Sequence, residues 1–270
     1  MHALPSVVAF AAALALAPAL RRTLADAGQV RDNYRGIALP FPFGVLIVAA
    51  AVVALVPLAP IDDITGDVLR PELGTIAIYA LGVAFLGLAD DALSGPSRGW
   101  RGHGAALMGG VVSTGALKAV GSLGLALLVL RGHDDYLLAV LVLVLATNVF
   151  NLLDLRPGRA VKAFVLLGAG LTLGAWDADP LWALGLLAAP VLVAGFYDLR
   201  ECAMLGDTGS NLIGALAGLW LVLTLSTAGL AVAAAILLVV TAYGELRSIN
   251  ALVERTPVLR HLDSIGRPHA

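Results

Sequence analysis

An all-α, polytopic integral membrane protein of about nine transmembrane helices, with its active site at the cytoplasmic face, is the architecture this sequence predicts. Three observations predict it. The chain is 59% hydrophobic and 13% charged, with mean hydropathy +0.91, well outside the range of a soluble globular domain. Its 270 residues have room for about nine apolar spans of roughly 20 residues joined by short connections. Its basic residues gather in alternate connections, which orients the spans.

The spans follow in order. The first, about 3–20, carries its basic pair Arg21-Arg22 after the apolar run, the wrong order for a cleaved signal peptide, so a retained helix is expected. The second covers about 40–60. The third, about 73–90, contains TIAIYALGVAFLGLA and ends on Asp90-Asp91. The fourth, about 105–130, holds Lys118 within it. The fifth, about 135–153, contains YLLAVLVLVLA and ends in Asn148-x-x-Asn151-x-x-Asp154. Spans six and seven cover about 160–176 and 180–197. The eighth, about 210–226, opens on Gly206-Asp207-Thr208-Gly209-Ser210, and the ninth covers about 229–245. Residues 1–245 therefore form a single transmembrane domain, and 246–270 an amphipathic cytoplasmic tail. One cysteine, Cys202, excludes an internal disulfide framework and a Cys-rich metal site. The net charge of −2 says little, because the distribution of charge is what matters here; no nucleic-acid partner is expected.

With the N-terminus outside, the inside connections are about 21–39, 91–104, 154–162, 198–209 and 246–270. They hold Arg21, Arg22, Arg31, Arg35, Arg98, Arg101, Arg156, Arg159, Lys162, Arg200, Arg247, Arg255, Arg260 and Arg267. Only Arg70 and Arg131 fall outside, where the loops are acidic, with Asp62, Asp63, Asp67, Glu72, Asp134, Asp135, Asp177 and Asp179. That asymmetry sets the orientation. It was counted without Asp90, Asp91, Asn148, Asn151, Asp154 or Asp207, yet it puts all six on the cytoplasmic face of an inner or plasma membrane.

Acids at a bilayer edge are costly unless they pair or bind something, so three polar clusters on one face point to one site. Each has a plainer explanation beside it. Asp90-Asp91 could mark a membrane exit, although acids at a helix C-terminus oppose the macrodipole and a bound cation removes that penalty. Asn148, Asn151 and Asp154, spaced three apart, share one helical face; Asn also serves interhelical packing. Gly206-Asp207-Thr208-Gly209-Ser210 offers free N–H groups and hydroxyls to a phosphate and a carboxylate to a cation, or else an ordinary N-cap. Lys118, thirteen residues in from Ala105, is too deep for easy snorkelling and calls for an anionic partner, either a carboxylate or a substrate phosphate; the alternative is that glycines 99, 102, 104, 109 and 110 break the helix and bring Lys118 near the interface.

In the order DD, NxxNLLD, GDTGS, over about residues 30–215, the chain resembles the polyprenyl-phosphate N-acetylhexosamine-1-phosphate transferase superfamily. That superfamily includes the phospho-N-acetylmuramoyl-pentapeptide transferases and the UDP-N-acetylglucosamine–undecaprenyl-phosphate transferases. Arg31-x-Asn33-Tyr34-Arg35-Gly36 followed by LPFPFG resembles the family's first cytoplasmic loop, and Lys118 matches a lysine on its fourth helix. The resemblance implies Mg²⁺-dependent transfer of a sugar-1-phosphate from a UDP-sugar to a polyprenyl (undecaprenyl) phosphate, releasing UMP, in envelope polysaccharide or peptidoglycan-type synthesis, with Mn²⁺ as the alternative ion. It implies Asp207 as principal metal ligand with Asp91 near the metal, and Asp90 orienting or deprotonating the lipid phosphate. Asp154 and Asn151 would support the nucleotide or the metal shell, and Lys118 would neutralise a phosphate. Asn148, Asn151, Arg156, Arg159, Thr208, Gly209 and Ser210 would bind substrate. The partners are the membrane, the lipid phosphate and the UDP-sugar, with a homodimer among the alternatives.

Two departures stand out. The family pattern DGxDGL is here Asp154-Leu155-Arg156-Pro157-Gly158-Arg159, with proline where a second acid stands, and no histidine-rich loop precedes a tenth helix; His261 and His269 lie in the tail. A guanidinium fork from Arg156 or Arg159 could take up substrate phosphate in place of the missing groups. The alternative function is a non-catalytic protein of the same fold that binds lipid phosphate or nucleotide-sugar, or acts as an envelope scaffold. A transporter is the third reading, disfavoured because no inverted repeat is visible.

Overall fold

The computed structural model describes residues 1–93 and 114–268. Arg98, Arg101, His269 and the beginning of the fourth expected span lie outside the described residues. The rest is helical apart from one small hairpin. The long helices are α1 (Leu4–Asp26), α2 (Val45–Thr65), α3 (Leu73–Leu93), α4 (Thr114–Val129), α5 (Tyr136–Leu153), α6 (Arg159–Ala175), α7 (Asp179–Leu199), α8 (Gly206–Thr224) and α9 (Thr227–Leu246). Two short helices, α10 (Ile249–Arg255) and α11 (Pro257–Ser264), make up the tail. Six of these, α1, α2, α3, α5, α7 and α9, are long and apolar enough to cross a membrane.

The helices outside that group have separate physical reasons. At about 1.5 Å per residue, α8 is roughly 28 Å long, close to the thickness of a hydrocarbon core. It is buried on every side from Thr208 to Val222 and meets protein where the outer helices would meet lipid. A helix so placed is the bundle's axis. Helices α3 and α5 pack closely along it. The contact with α5 is a backbone approach: a Cβ on Gly214 would stand 2.7 Å from the Thr147 Cα, and one on Gly218 2.8 Å from a Leu143 methyl. Helices α4 and α6 have only 16 and 17 described residues.

The hairpin pairs β1 (Val30–Asp32) with β2 (Ala38–Pro40), antiparallel, with Arg31 opposite Leu39. Its turn is held by Asn33, whose Oδ1 accepts from the backbone N–H of Arg35 (2.8 Å) and of Ile37 (3.0 Å). This is the local side-chain bonding that makes Asn a turn residue. The Pro/Gly-rich stretch that follows departs from helical geometry, so α2 begins at Val45, later than the expected residue 40. The β2 end also bonds to the segment before α8: Met204 N donates to Pro40 O (2.9 Å), Phe43 N to Met204 O (2.7 Å) and Gly44 N to Leu205 O (2.9 Å). Hairpin and α8 N-terminus are thus one construction.

Candidate active site

Gly206 begins α8 in the left-handed region, at φ +72°; a Cβ there would stand 2.8 Å from the Asp91 carboxylate and 2.7 Å from the Phe41 ring. Only glycine lets the turn sit this close. Gly87 plays the matching part on α3, where a Cβ would lie 2.8 Å from Thr208 N. One turn further along α3, Asp91 reaches the freed N–H groups. Its Oδ1 accepts from Asp207 N (2.9 Å), and its Oδ2 from Thr208 N (2.9 Å) and the Thr208 hydroxyl (2.7 Å). The first residues of α8 have no cap from their own chain neighbours; Asp91 supplies it from another helix, where the dipole favours an anion.

With that turn held, the Asp207 side chain meets Lys118 of α4. The Lys118 ammonium lies between two carboxylates, paired with Asp207 on one side and with Asp90 Oδ2, 2.6 Å away, on the other. Lys118 stands one turn into α4 as described, so its charge reaches the acidic cluster without crossing the span. Two carboxylates around one ammonium leave a net negative charge in a half-buried setting, which favours a further cation. Arg31 borders the same space from the hairpin: its guanidinium stacks 4.0 Å from the Phe41 ring centroid, and it donates to the Asp91 carbonyl at 3.3 Å. From α5, Asn151 Oδ1 accepts from the Ser210 hydroxyl at 3.0 Å, tying α5 to the first turn of α8.

These groups line one cavity of about 1480 Å³. Asp90, Asp91, Lys118, Asn148, Asn151 and Asp207 all border it, with Val83, Leu86, Val144 and Leu145 forming an apolar wall. Thr208 and Ser210 are buried and do not border it. Gly209 packs against Gly44 of the segment leading into α2.

Asp154, Arg156 and Arg159 do not reach the cavity wall. Asp154 follows the last residue of α5; burial, then the charges of Asp198, Asp207 and Asp91, push its carboxyl well above the ordinary range, against the pull of Arg159. Arg159 does use a guanidinium fork, but on the tail: Nε and Nη2 bond the two oxygens of Asp263 at 2.8 and 3.0 Å, and Nη1 bonds Asn250 Oδ1 at 2.7 Å. Arg267 adds a bond to Asp263 at 2.7 Å, and the Lys162 ammonium caps the end of α11 through the carbonyls of Leu262 (3.1 Å), Asp263 and Ile265 (3.2 Å). Arg156 stacks 4.2 Å from the Tyr34 ring centroid and meets Glu254 at 3.4 Å. The bidentate chemistry expected for a phosphate holds the tail to α6.

That clamp has an acid limit. Burial of Asp263 would raise its carboxyl, and the hydrogen bonds and charges of Arg159 and Arg267 outweigh it, leaving the pKa below the ordinary carboxylate value. The stabilisation is therefore complete above the pKa of the unfolded chain, about 3.9, and disappears as pH falls through the lower folded value. Hydrogen exchange across residues 249–264 should show equal protection at pH 7 and 5 and a loss below about pH 3.9. Arg159→Lys should expose the same helices to exchange at neutral pH, because lysine cannot bridge both Asp263 oxygens. Unchanged protection in that variant would mean that α10 and α11 are held by their apolar contacts alone.

Several residues of the site carry no motif in the sequence. Asp198, 5% exposed on α7, accepts from Gly158 N (2.6 Å) and Leu205 N (3.3 Å), bracing the segments before α6 and α8. Glu201, at φ +52°, accepts from Asn33 (3.1 Å), Tyr34 (3.3 Å) and Arg35 (3.3 Å) and anchors the hairpin. Asn211, Thr241 and Glu245 border the cavity from α8 and α9. An acid at the end of an apolar span was a signal available for Asp198; for Thr241 there was none. Among the described residues no group of three or more His, Cys, Asp or Glu side chains is placed to hold a metal ion. No protein-family model matches the chain, and a search of curated proteins finds no match.

Proposed function

We propose that this chain is a phosphoglycosyl transferase of the cell membrane: it transfers a sugar-1-phosphate from a UDP-sugar to a polyprenyl phosphate and releases UMP. The observation that carries the reading is the convergence of Asp90, Asp91, Lys118 and Asp207, from three helices distant in sequence, on one large cavity with an apolar wall. In the reaction an oxygen of the lipid phosphate attacks the β-phosphorus of the UDP-sugar, and the bond from that phosphorus to the oxygen bridging the α-phosphate breaks, leaving UMP. Bringing two phosphates together requires charge neutralisation more than a covalent nucleophile. Lys118 supplies a cation held by its two carboxylate neighbours. Asp91 fixes the turn that aims Asp207 at it. Arg31, stacked and already bonded at the cavity edge, offers a second cationic contact.

Mg²⁺ is commonly bound by one or two protein carboxylates, with substrate phosphates and water completing its shell. Asp90 and Asp207 fit that share, since both already converge on one positive charge. When bound, the ion would offset the charge gathering on the phosphates. Asp91, with both oxygens engaged by α8, serves as a positioning residue for Asp207. Incubation of purified protein with UDP-sugars, undecaprenyl phosphate and Mg²⁺ tests the reading, with UMP release as the expected result. Absence of UMP release with every UDP-sugar would favour the non-catalytic binding protein, a reading supported by Asp154, Arg156 and Arg159 standing off the cavity.

The proposal also places the site in the cytoplasm, in a nine-span arrangement with the N-terminus outside and the C-terminus inside. Cys202 lies in the segment just before α8, and Asp134 is exposed at the opposite end of α5. In intact cells an impermeant thiol reagent should spare Cys202 and label Asp134→Cys. Ser97, on the expected 91–104 connection, lies outside the described residues. Labelling of Cys202 from outside would invert the orientation and remove the site from the nucleotide's compartment.

A further inference from the structure

A second cavity, of about 470 Å³, shares no lining residue with the first. Its volume lies in the range of a small-molecule site, about 300–1,000 Å³. Both cavities touch α9, through different faces: Thr241, Gly244 and Glu245 border the first, and Val239, Val240 and Tyr243 the second. Most of the remaining wall comes from the first two turns of α6 and from the tail helices α10 and α11. Apart from Arg159, Lys162, Tyr243 and Asp263, the lining is aliphatic.

That lining is graded along the bundle. Lys162 and Tyr243 stand near the ends of α6 and α9 that meet the tail. Four residues further from the tail on each helix, or roughly 6 Å, come Leu166 and Val239, which are 59% and 67% exposed. Helix α9 is one of the six long and apolar enough to cross a membrane, and Val239 shares its outer face with the exposed Val232 and Ile236. An apolar face of that kind is covered by lipid. The cavity therefore continues the lipid-facing surface of the bundle, and its occupant reaches side chains that are open. Helix α11 extends the same surface past the spans: Leu259 and Leu262 are exposed and border the cavity, while Arg260 and His261 occupy other parts of its circumference. Apolar and basic residues divided in this way suit a helix at the headgroup boundary.

Charge narrows the occupant. Arg159 and Asp263, both in the lining, pair with each other. Lys162 makes no ion pair among the described residues; its ammonium donates to the carbonyls of Leu262, Asp263 and Ile265. One positive charge is therefore left without a counter-ion at the polar end of an aliphatic groove. A free phosphate would leave the groove unfilled, and a neutral hydrocarbon would leave the ammonium unanswered. A phospholipid with an anionic headgroup meets both, with its phosphate towards Lys162 and an acyl chain between Leu166 and Val239. We infer that α6, α9 and α11 form a binding site for an anionic phospholipid of the leaflet nearest the tail, and that the bound lipid holds the tail helices to the bundle. The site is independent of the transferase reading, and every measurement below reads lipid binding.

The test is native mass spectrometry of the full-length protein released from detergent. The probes are phosphatidylglycerol, phosphatidylcholine with the same chains, and undecaprenyl phosphate. The wild type should retain one phosphatidylglycerol at about fivefold lower lipid concentration than phosphatidylcholine, the worth of one cation beside an anionic headgroup. Lys162→Gln should bring the two phospholipids within about twofold of each other. Ala163→Phe, which fills the groove from α6, should retain neither at concentrations that saturate the wild type. Hydrogen exchange across residues 249–264 should slow when phosphatidylglycerol is added to the wild type, and should not respond in Ala163→Phe. Equal retention of both phospholipids by the wild type, an unchanged preference in Lys162→Gln, tighter retention of undecaprenyl phosphate, or a dimer that retains no lipid would each overturn the proposal. If Ala163→Phe melts well below the wild type, phosphatidylglycerol with a photoreactive diazirine on its chain decides the matter on the wild type alone. Labelled peptides should then include residues 257–264 together with 159–175 and 227–246. Label on the bundle helices with none on 257–264 would overturn the site.

Discussion

Asp207→Asn should leave a folded protein that releases UMP about 10²- to 10³-fold more slowly, or roughly 2.7–4 kcal/mol in the barrier, the range seen when one preorganised electrostatic contact is removed from a reacting centre. The substitution keeps the shape of the side chain and the backbone N–H that Asp91 holds, so only charge changes at the point facing Lys118. Lys118 keeps Asp90 as a counter-ion at 2.6 Å, which prevents an unpaired buried cation from unfolding the site. Apparent melting temperature in detergent should therefore stay close to that of the wild type. On the proposed role of Asp207 in holding the ion, the substitution should also weaken Mg²⁺ binding, so that raising Mg²⁺ restores part of the lost rate. Wild-type UMP release in Asp207→Asn would remove this carboxylate from the mechanism.

The second large effect separates two adjacent acids with opposite duties. Asp91→Ala strips the acceptor from two backbone N–H groups and one hydroxyl at the start of α8. Thr208 is 2% exposed, so water does not replace the lost acceptor freely. At about 1–3 kcal/mol for each of the two buried Thr208 donors, the expected destabilisation is roughly 2–6 kcal/mol, or a fall of roughly 4–24 °C in apparent melting temperature for a chain of this size. Activity should fall with it, since Asp207 is aimed by the same turn. Asp90→Asn should do the reverse, reducing UMP release severely with little thermal change, because Asp90 faces Lys118 and the cavity and holds no backbone group among the described residues. Equal thermal stability of the Asp91→Ala and Asp90→Asn proteins would contradict the capping role.

Much of the bundle was legible from periodicity and composition. The expected third span, 73–90, corresponds to α3, and the expected fifth, 135–153, to α5, within a few residues at each end. Apolar runs of this length have one economical backbone solution in a low-dielectric surrounding, so their boundaries follow from local sequence. The hairpin was not legible, because its pairing depends on Asn33 closing a turn and on β2 bonding to the segment before α8, more than 160 residues away. The role of α8 was only half legible: its sequence marks a helix, but nothing in it says that every face meets protein.

The site divides along the same physical line. The residue types and their order along the chain were enough to bring Asp90, Asp91, Lys118 and Asp207 into one expectation, because acids at the ends of apolar spans and a lysine within one must find partners or pay a desolvation cost. Which atom each one meets was decided by packing. Asp91 became a cap because Gly87 lets α3 approach the Gly206 turn; Arg159 became a tail anchor because Asp263 arrives from a helix 104 residues later. Asn211 and Thr241 border the cavity because α8 and α9 both line it. Sequence alone determined what the chain is made of and where charge must gather; the tertiary structure alone chose the partners, because hydrogen bonds depend on distances of a few tenths of an ångström between segments that local patterns do not relate.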